Sequence, residues 1–383
     1  MLDLSRQYAS LRDEILEAIA RVCDSQAFIL GPTVSHFESS AAAACCASFA
    51  VGCASGTDAL WLQTAAAGIG TSTGTGNATD AVLTTPFSFF ASVSAILRAG
   101  ARPILADIDP RTFNLSPDSA AEVLRRPAGA QVRAILPVHL YGQCADFDAL
   151  GELAAARGLL LLEDAAQAFG ATWNGRPAGS LGTAAAFSFY PTKNLAAMGD
   201  AGLVTTSAPE IAARLRSLRA HGMTRRYYHE EVGWNARMDA IQAAVLQVKL
   251  RYLNSWNQDR RERAARYDEL FRAAGLVSGS SIAEGIVLPW KDPRAEHIFH
   301  QYVIRVPRRD ALQKYLADVG IATEVYYPVP LHVQDALRDL GYRTGDFPES
   351  ERAAREVLAL PMFPELREDE QEAVADAIRA FYA

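Results

Sequence analysis

The stretch Phe187-Ser188-Phe189-Tyr190-Pro191-Thr192-Lys193-Asn194-Leu195 puts one lysine just beyond an apolar, aromatic segment. A proline precedes this lysine and the turn Gly199-Asp200-Ala201-Gly202 follows it, which predicts that Lys193 lies at the end of a buried strand. Partial desolvation lowers the pKa of an ammonium group, and a neutral lysine amine can form a Schiff base with an aldehyde. Most lysines are solvated surface charges, so the rest of the chain must distinguish between the two roles.

The composition is that of a globular protein. The chain has 383 residues, of which 50% are hydrophobic and 21% charged, so a large core and two lobes are expected. The sequence has neither a signal-peptide pattern at its start nor an apolar run of the roughly 18 residues that cross a bilayer, and we expect a cytoplasmic protein with no membrane partner.

Charge and cysteine usage narrow the classes of ligand. The formal net charge of −7 disfavours nucleic acid as a main partner. Five cysteines without paired C-x-x-C spacing disfavour a disulfide framework and a zinc site, so we expect no metal.

Short apolar segments alternate with helical patterns up to about residue 220. The predicted strands are 49–53, 81–85, 102–106, 132–138, 159–162, 184–189 and 203–206. The predicted helices between them are 58–67, 91–99, 117–124, 146–156 and 209–221. Strands that are continuously apolar and alternate with helices predict an α/β fold, with a mainly parallel seven-stranded central sheet covered by helices on both faces.

The pattern divides the chain into three parts. Residues 1–30 are predicted to be an N-terminal arm and helix, and residues 31–257 a large α/β domain that ends in a long helix over 239–257. Residues 258–383 form a smaller α+β domain, with strands at 302–306 and 323–326 and a final helix at 368–382.

Two glycine-containing segments are candidates for phosphate binding. Ser55-Gly56-Thr57-Asp58 follows the first predicted strand and opens a helix, where backbone N–H groups and the helix dipole can hold a phosphate. The same residues equally fit an ordinary turn that Thr57 or Asp58 caps. The glycine-rich segment 68–76 follows a helix and precedes a strand, the wrong order for a dinucleotide loop, so we interpret it as a flexible surface insertion.

Further candidates lie at other strand ends. Glu163-Asp164 closes the strand 159–162, and a carboxylate there could keep a pyridinium nitrogen protonated, although capping or ion pairing is the commoner role. Gln167 fits either a hydrogen bond to a phenolic oxygen or a cap. Phe89 fits either a ring stacked on an aromatic ligand or a plain core position.

Together these strand-end residues resemble the active site of fold type I enzymes that use pyridoxal 5′-phosphate (PLP). Within that group the chain resembles the sugar-nucleotide aminotransferases of the DegT-like family. The matching segments run nearly end to end: 3–8, 28–32, 55–60, 106–109, 137–142, 163–167, 188–194, 233–243 and 327–332.

The resemblance implies a role for each motif residue. Lys193 would carry PLP covalently as a Schiff base and act in catalysis, and Asp164 would bind the pyridine nitrogen. The other implied cofactor contacts are Phe89 to the ring, Gln167 to the phenolic oxygen, Gly56, Thr57 and Ser188 to the phosphate, and Asn235 to the phosphate of the neighbouring subunit's cofactor. A homodimer with shared active sites follows.

The resemblance also implies a substrate side. The implied substrate contacts are Arg219, His221, Arg226, Tyr227 and His229 from one basic and aromatic loop, with Tyr326, Tyr327 and His332 from the second lobe. Without the resemblance, a solvated basic loop is the better interpretation. The run from His221 to His229 looks most like enzymes that aminate the 3-position of a keto sugar, and less like those that act at the 4-position.

The implied function is PLP-dependent transfer of an amino group from glutamate or glutamine to a nucleotide-linked keto sugar. Two alternatives are a keto-cyclitol aminotransferase and a non-catalytic PLP-binding regulatory protein. The sequence departs from the usual family pattern in two places. Ala201 replaces a glycine in the turn after the lysine, where a positive φ would strain an alanine, and the segment 68–76 is longer than usual.

Overall fold

The computed structural model of the protein describes residues 2–279, 281–283 and 285–383. The helices are α1 (Leu4–Ser25), α2 (Gly31–Ala44), α3 (Gly56–Ala66), α4 (Ala91–Arg98), α5 (Pro117–Arg125), α6 (Phe147–Arg157), α7 (Pro209–Leu218), α8 (Ala240–Leu250), α9 (Leu253–Ala273), α10 (Arg309–Asp318), α11 (Pro348–Glu356) and α12 (Glu368–Tyr382). The strands are β1 (Phe49–Cys53), β2 (Ala81–Thr84), β3 (Arg102–Leu105), β4 (Val132–Ile135), β5 (Leu160–Asp164), β6 (Thr172–Trp173), β7 (Arg176–Pro177), β8 (Ala184–Ser188), β9 (Gly202–Thr206), β10 (Met223–Arg225), β11 (Tyr228–His229), β12 (Ala295–Glu296), β13 (Tyr302–Arg305) and β14 (Val357–Leu360).

The central sheet has seven strands in the order β1-β9-β8-β5-β4-β2-β3. The five strands from β8 to β3 pair in parallel, whereas β9 runs antiparallel to both of its neighbours, β8 and β1. The prediction of a mainly parallel seven-stranded sheet is therefore confirmed, and each of its seven strands overlaps a predicted one.

Helices cover both faces of this sheet. Successive residues of a strand point to opposite faces, and β8 shows this clearly. Ala184 and Ala186 pack into the buried cluster formed with α3, α4 and α7. Ala185 and Phe187 pack into the opposite cluster, which includes α1, α2, α5, α6 and α8. The strands read as continuous apolar runs because both faces are buried.

Two secondary-structure predictions were wrong. The helix predicted over 239–257 is interrupted between α8 and α9, where the Tyr252 hydroxyl donates to Glu14 of α1 at 2.8 Å. The helix α9 includes residue 257, and the division of the chain into domains at that residue stays a prediction. Residues 323–326 form only an isolated bridge, from Glu324 to Ala359 of β14. The strand β14, which the sequence did not indicate, also pairs with β13.

The helix α2 was also missed. Gly31-Pro32 was interpreted only as a break after the first helix, yet it opens a second one, since proline is well suited to the first helical turn. Among the described residues, no helix combines the length and the apolar character needed to span a bilayer.

Candidate active site

Three of the segments chosen from the sequence meet at one edge of the central sheet. Asp164 is the last residue of β5, and the neighbouring parallel strand β8 ends at Ser188, shortly before Lys193. β1 runs parallel to β8 on the far side of β9 and leads into α3 at Gly56. This is the carboxyl edge of the parallel strands, where ligands bind in such sheets.

Lys193 is half-buried at this edge. Burial lowers the pKa of its ammonium group to about 8, and the negative charge of Asp164 opposes that effect. The amide of Lys193 donates to the Tyr190 carbonyl at 2.8 Å, which fixes the turn. An amine with this pKa is partly neutral near neutral pH, so Lys193 can act as a nucleophile.

Asp164 is buried, with 2% of its surface exposed. Its Oδ2 accepts from the Ser92 hydroxyl at 2.6 Å, and its Oδ1 accepts from the Ala166 amide at 3.2 Å. Burial raises the pKa of this carboxyl, while the two hydrogen bonds and the positive charge of Lys193 lower it. The site therefore contains a buried carboxylate with polar partners, next to the lysine.

The adjacent carboxylate, Glu163, points to the other face of the strand. Its carboxylate accepts hydrogen bonds from three backbone amides, those of Gly179 at 2.8 Å, Leu181 at 2.9 Å and Gly182 at 2.8 Å. It also contacts His139 Nε2 at 3.1 Å. All of its described partners are structural. Asp164, not Glu163, is therefore the carboxylate available to a ligand.

The turn between β1 and α3 forms a cradle for an anion. The Ser55 hydroxyl accepts from the Asp58 amide at 3.0 Å, while the amides of Gly56 and Thr57 have no acceptor within the helix because they belong to its first turn. A Cβ on Gly56 would lie 2.5 Å from the Ser188 Cβ, so only glycine allows this approach. Ser188 thus lies beside two amides at a helix N-terminus.

Aromatic side chains stand above this edge. Phe89 is 59% exposed, and its ring centroid lies 6.3 Å from that of Tyr327. The Gln167 Nε2 donates to the Tyr327 hydroxyl at 3.3 Å, and its Oε1 accepts from the Tyr141 amide at 2.6 Å. Burial raises the pKa of Tyr327, and so does the nearby charge of Asp164. Phe89 and Gln167 therefore both lie beside Tyr327, which in turn lies near Asp164.

The basic and aromatic loop forms an exposed hairpin of β10 and β11. The Arg226 guanidinium lies 5.0 Å from the centroid of the Tyr227 ring, and Tyr227 is 76% exposed. The His229 Nδ1 contacts the carbonyl of His221 at 2.9 Å across the hairpin. Asn235 is also exposed, on the segment that pairs with Ala220. These residues present a cationic, aromatic surface.

Two of the predicted substrate contacts are buried residues that bind other parts of the chain. Arg219 is buried and donates to the Glu38 carboxylate and to the Gly52 carbonyl, so its charge is neutralised in the protein interior. His332 is also buried, and its Nε2 contacts Glu351 at 3.0 Å. Both side chains thus make internal contacts, and their assignment as substrate contacts stays a prediction. Tyr326 is half-buried, and its carbonyl accepts a hydrogen bond from the Tyr141 hydroxyl.

The two departures from the family pattern have simple structural explanations. Ala201 is not among the residues with positive φ, so the alanine there is unstrained. The segment 68–76 is not a free insertion, because the Arg214 Nη2 donates to Thr73 at 2.8 Å and to Glu231 at 3.0 Å. Its Gly70 amide also donates to Asp80 at 3.1 Å.

The sequence did not indicate Ser92 or the residue that it contacts, Ser88. Both are buried serines near the start of α4, and serine at such positions has no distinctive spacing. Their role is visible only from the hydrogen bonds that reach Asp164.

The residues at this edge of the α/β sheet have the chemistry that a PLP site requires. A phosphate fits the amides of Gly56 and Thr57, an aromatic ring fits beside Phe89, a pyridinium nitrogen fits Asp164, and an aldehyde fits the Lys193 amine. This donor set matches each part of the cofactor in turn.

Comparison with known proteins identifies the family. Residues 9–379 match the DegT/DnrJ/EryC1/StrS aminotransferase family, and the chain belongs to it. It is thus a PLP-dependent aminotransferase, as the sequence predicted.

The similar proteins include two curated relatives and one solved structure. The chain is 46% identical to a pleiotropic regulatory protein of Geobacillus stearothermophilus, over 100% of this chain and 98% of the relative. It is 42% identical to the dTDP-3-amino-3,4,6-trideoxy-alpha-D-glucose transaminase of Streptomyces venezuelae, over 99% and 94%. A crystal structure of S. venezuelae DesV with a ketimine intermediate superposes with a TM-score of 0.91, at 42% identity, over 99% of this chain and 97% of that one.

Proposed function

We propose that the protein transfers an amino group from glutamate or glutamine to the 3-keto carbon of a nucleotide-linked sugar. The observation that carries this proposal is the desolvated Lys193 amine next to the buried Asp164 carboxylate, at the ends of neighbouring strands. The similarity to a transaminase whose name specifies a 3-amino sugar supports the 3-position.

Seven residues would hold the cofactor. Lys193 would bind its aldehyde carbon covalently, Asp164 its pyridine nitrogen, and Gln167 its phenolic oxygen, while Phe89 would stack on its ring. Gly56, Thr57 and Ser188 would hold the phosphate. When bound, PLP supplies an electron sink for the negative charge that develops at the α-carbon of the amino acid.

Side chains of this protein would carry out the proton transfers. Lys193 Nζ, with a pKa of about 8, can accept a proton from the α-carbon of the donor and return one to the carbon that becomes aminated. Asp164 would stay ionised and hold the pyridine nitrogen protonated. The half-buried position of Lys193 limits the access of water to this proton transfer.

The sugar nucleotide would bind at the exposed hairpin. Arg226 supplies positive charge for a diphosphate, and Tyr227 supplies a ring face for a base, while His229 lies exposed beside them. We propose that this hairpin and Asn235 complete the active site of a second subunit in a homodimer, while Tyr326 lines the sugar side of the site. A hairpin exposed in the single chain is consistent with that arrangement.

A second candidate has a specific observation in its favour. The 46% identical relative is named as a regulatory protein, so a PLP-binding regulatory role without turnover is the alternative. The two functions differ in one property, because only an aminotransferase converts its bound cofactor when an amino-acid donor is added.

The experiment is a two-step spectroscopic titration. Glutamate or glutamine is added to the holoenzyme, and the loss of the cofactor's absorbance is recorded. A panel of uridine-, thymidine- and guanosine-linked 3- and 4-keto sugars, together with keto-cyclitols, is then tested for recovery of that absorbance. We expect recovery with a 3-keto sugar. Recovery only with a 4-keto sugar would overturn the 3-position, recovery only with keto-cyclitols would overturn the sugar-nucleotide class, and no response to either donor would favour the regulatory role.

A lysine variant provides the matched control. Lys193→Ala is expected to abolish both turnover and the absorbance of the covalently bound cofactor, whereas Lys314→Ala, at an exposed lysine paired with Asp318, should leave both unchanged. Turnover retained by Lys193→Ala would contradict the proposed role.

A further inference from the structure

A chain of buried hydroxyl groups leads to the Asp164 carboxylate. The Ser92 Oγ lies 2.6 Å from Asp164 Oδ2, and the Ser88 Oγ lies 2.7 Å from the Ser92 Oγ. All three residues are buried, with 4% of Ser88, 1% of Ser92 and 2% of Asp164 exposed. The chain therefore lies in a region that water does not screen.

The charge of Asp164 fixes the direction of these hydrogen bonds. An ionised carboxylate can only accept, so the single hydroxyl proton of Ser92 must point to Asp164. The oxygen of Ser92 is then left to accept the proton of Ser88. In this arrangement both hydroxyl dipoles point their positive ends toward the carboxylate, and each hydrogen bond polarises the next.

We propose that Ser92, supported by Ser88, is a positioning residue that keeps Asp164 ionised and oriented toward the pyridine nitrogen of the cofactor. The inference rests on the proposed function of Asp164. The other oxygen of Asp164 has the weaker described partner, the Ala166 amide at 3.2 Å. The hydrogen bond from Ser92 is consequently the main interaction that stabilises the ionised carboxylate in this buried site, where water is excluded.

The test is the variant Ser92→Ala, which deletes one hydroxyl from a buried position without adding atoms. We expect kcat for the glutamate half-reaction to fall about 10- to 100-fold, the usual range for losing a hydrogen bond to a charged group. The Asp164 carboxyl should also protonate more readily, so the acid limb of the pH profile should move to higher pH. Ser88→Ala should give smaller changes in the same directions.

Two readouts do not depend on turnover. The dissociation constant of PLP, measured by titrating cofactor-free protein, should rise in Ser92→Ala. The pH at which the absorbance of the bound cofactor changes should also shift. Ser92→Cys fills nearly the same volume with a much weaker donor and should restore little of either property, whereas a role in packing alone predicts full restoration.

Ser94→Ala is the matched control, because Ser94 lies two positions further along α4 and has no hydrogen bond to Asp164 among the described contacts. The proposal is overturned if Ser92→Ala has the PLP affinity and pH behaviour of the unmodified protein, or if Ser94→Ala changes them as much. A protein that binds PLP but shows no response to amino donors would refute the proposed function instead, and the binding and absorbance titrations would still test Ser92.

Discussion

Replacing Glu163 by glutamine should destabilise the protein strongly, although the two side chains have nearly the same shape. Each oxygen of Glu163 faces two N–H donors. Oε1 accepts from the amides of Leu181 at 2.9 Å and Gly182 at 2.8 Å. Oε2 accepts from the amide of Gly179 at 2.8 Å and faces His139 Nε2 at 3.1 Å. A carboxylate satisfies both pairs, whereas the amide of glutamine has only one oxygen.

The variant Glu163→Gln therefore points an NH2 group at two donors in either orientation. His139 cannot relieve the conflict by moving its proton to Nδ1, because Nδ1 accepts from the Ala145 amide at 3.1 Å. Two hydrogen bonds to a charged group are lost, at about 1.5–3 kcal/mol each, so the free energy of unfolding should fall by about 3–6 kcal/mol.

The assay is equilibrium unfolding in urea at one fixed protein and PLP concentration, followed by circular dichroism. Glu122→Gln is the control, since Glu122 makes an exposed pair with Arg126 and should change the free energy by no more than about 0.5 kcal/mol. A loss below about 1 kcal/mol for Glu163→Gln would refute the reasoning, because it would mean that these four donors do not depend on the second carboxylate oxygen.

Three further predictions follow from the contacts described above. Because the pKa of Lys193 is lowered to about 8, modification of Lys193 by an amine-reactive reagent in cofactor-free protein should rise with pH and level off above about pH 8. Mass spectrometry measures the extent of modification, and a plateau reached only near pH 10 would contradict the prediction. Arg219→Ala leaves the buried Glu38 without its cationic partner and should lower the free energy of unfolding by about 3–5 kcal/mol in the same urea assay, and a change below 1 kcal/mol would contradict this. Arg214→Ala releases both the glycine-rich segment and Glu231, so hydrogen exchange should accelerate in 68–76 and in 229–233 together; acceleration in neither segment would count against that link.

The central sheet could be predicted because both of its faces are buried. Runs such as Ala184–Ser188 and Gly202–Thr206 are apolar or uncharged throughout, and such runs identify strands without any knowledge of their partners. The family resemblance added the residue roles. Lys193 and Asp164 do meet at one edge of the sheet, as parallel strands require.

The sequence alone could not predict the contacts between distant segments. The interruption between α8 and α9 involves a hydrogen bond from Tyr252 to Glu14, and β14 is a strand through its pairing with β13. Arg219 lies near the basic loop in sequence, but its charge is neutralised by Glu38 in α2. Local sequence patterns do not indicate such distant partners, and in these three places the tertiary contacts determine the structure.

The opposite directions of Glu163 and Asp164 also constrain how this strand can vary. A shift of β5 by a single residue would turn Glu163 to the face that now holds Asp164 and would turn Asp164 to the opposite face. The two side chains differ by one methylene, so neither could reach the partners of the other in the same way. Insertions and deletions in β5 should therefore be excluded even where the hydrophobic pattern tolerates them, and correct strand register is as much a requirement for chemistry as for folding.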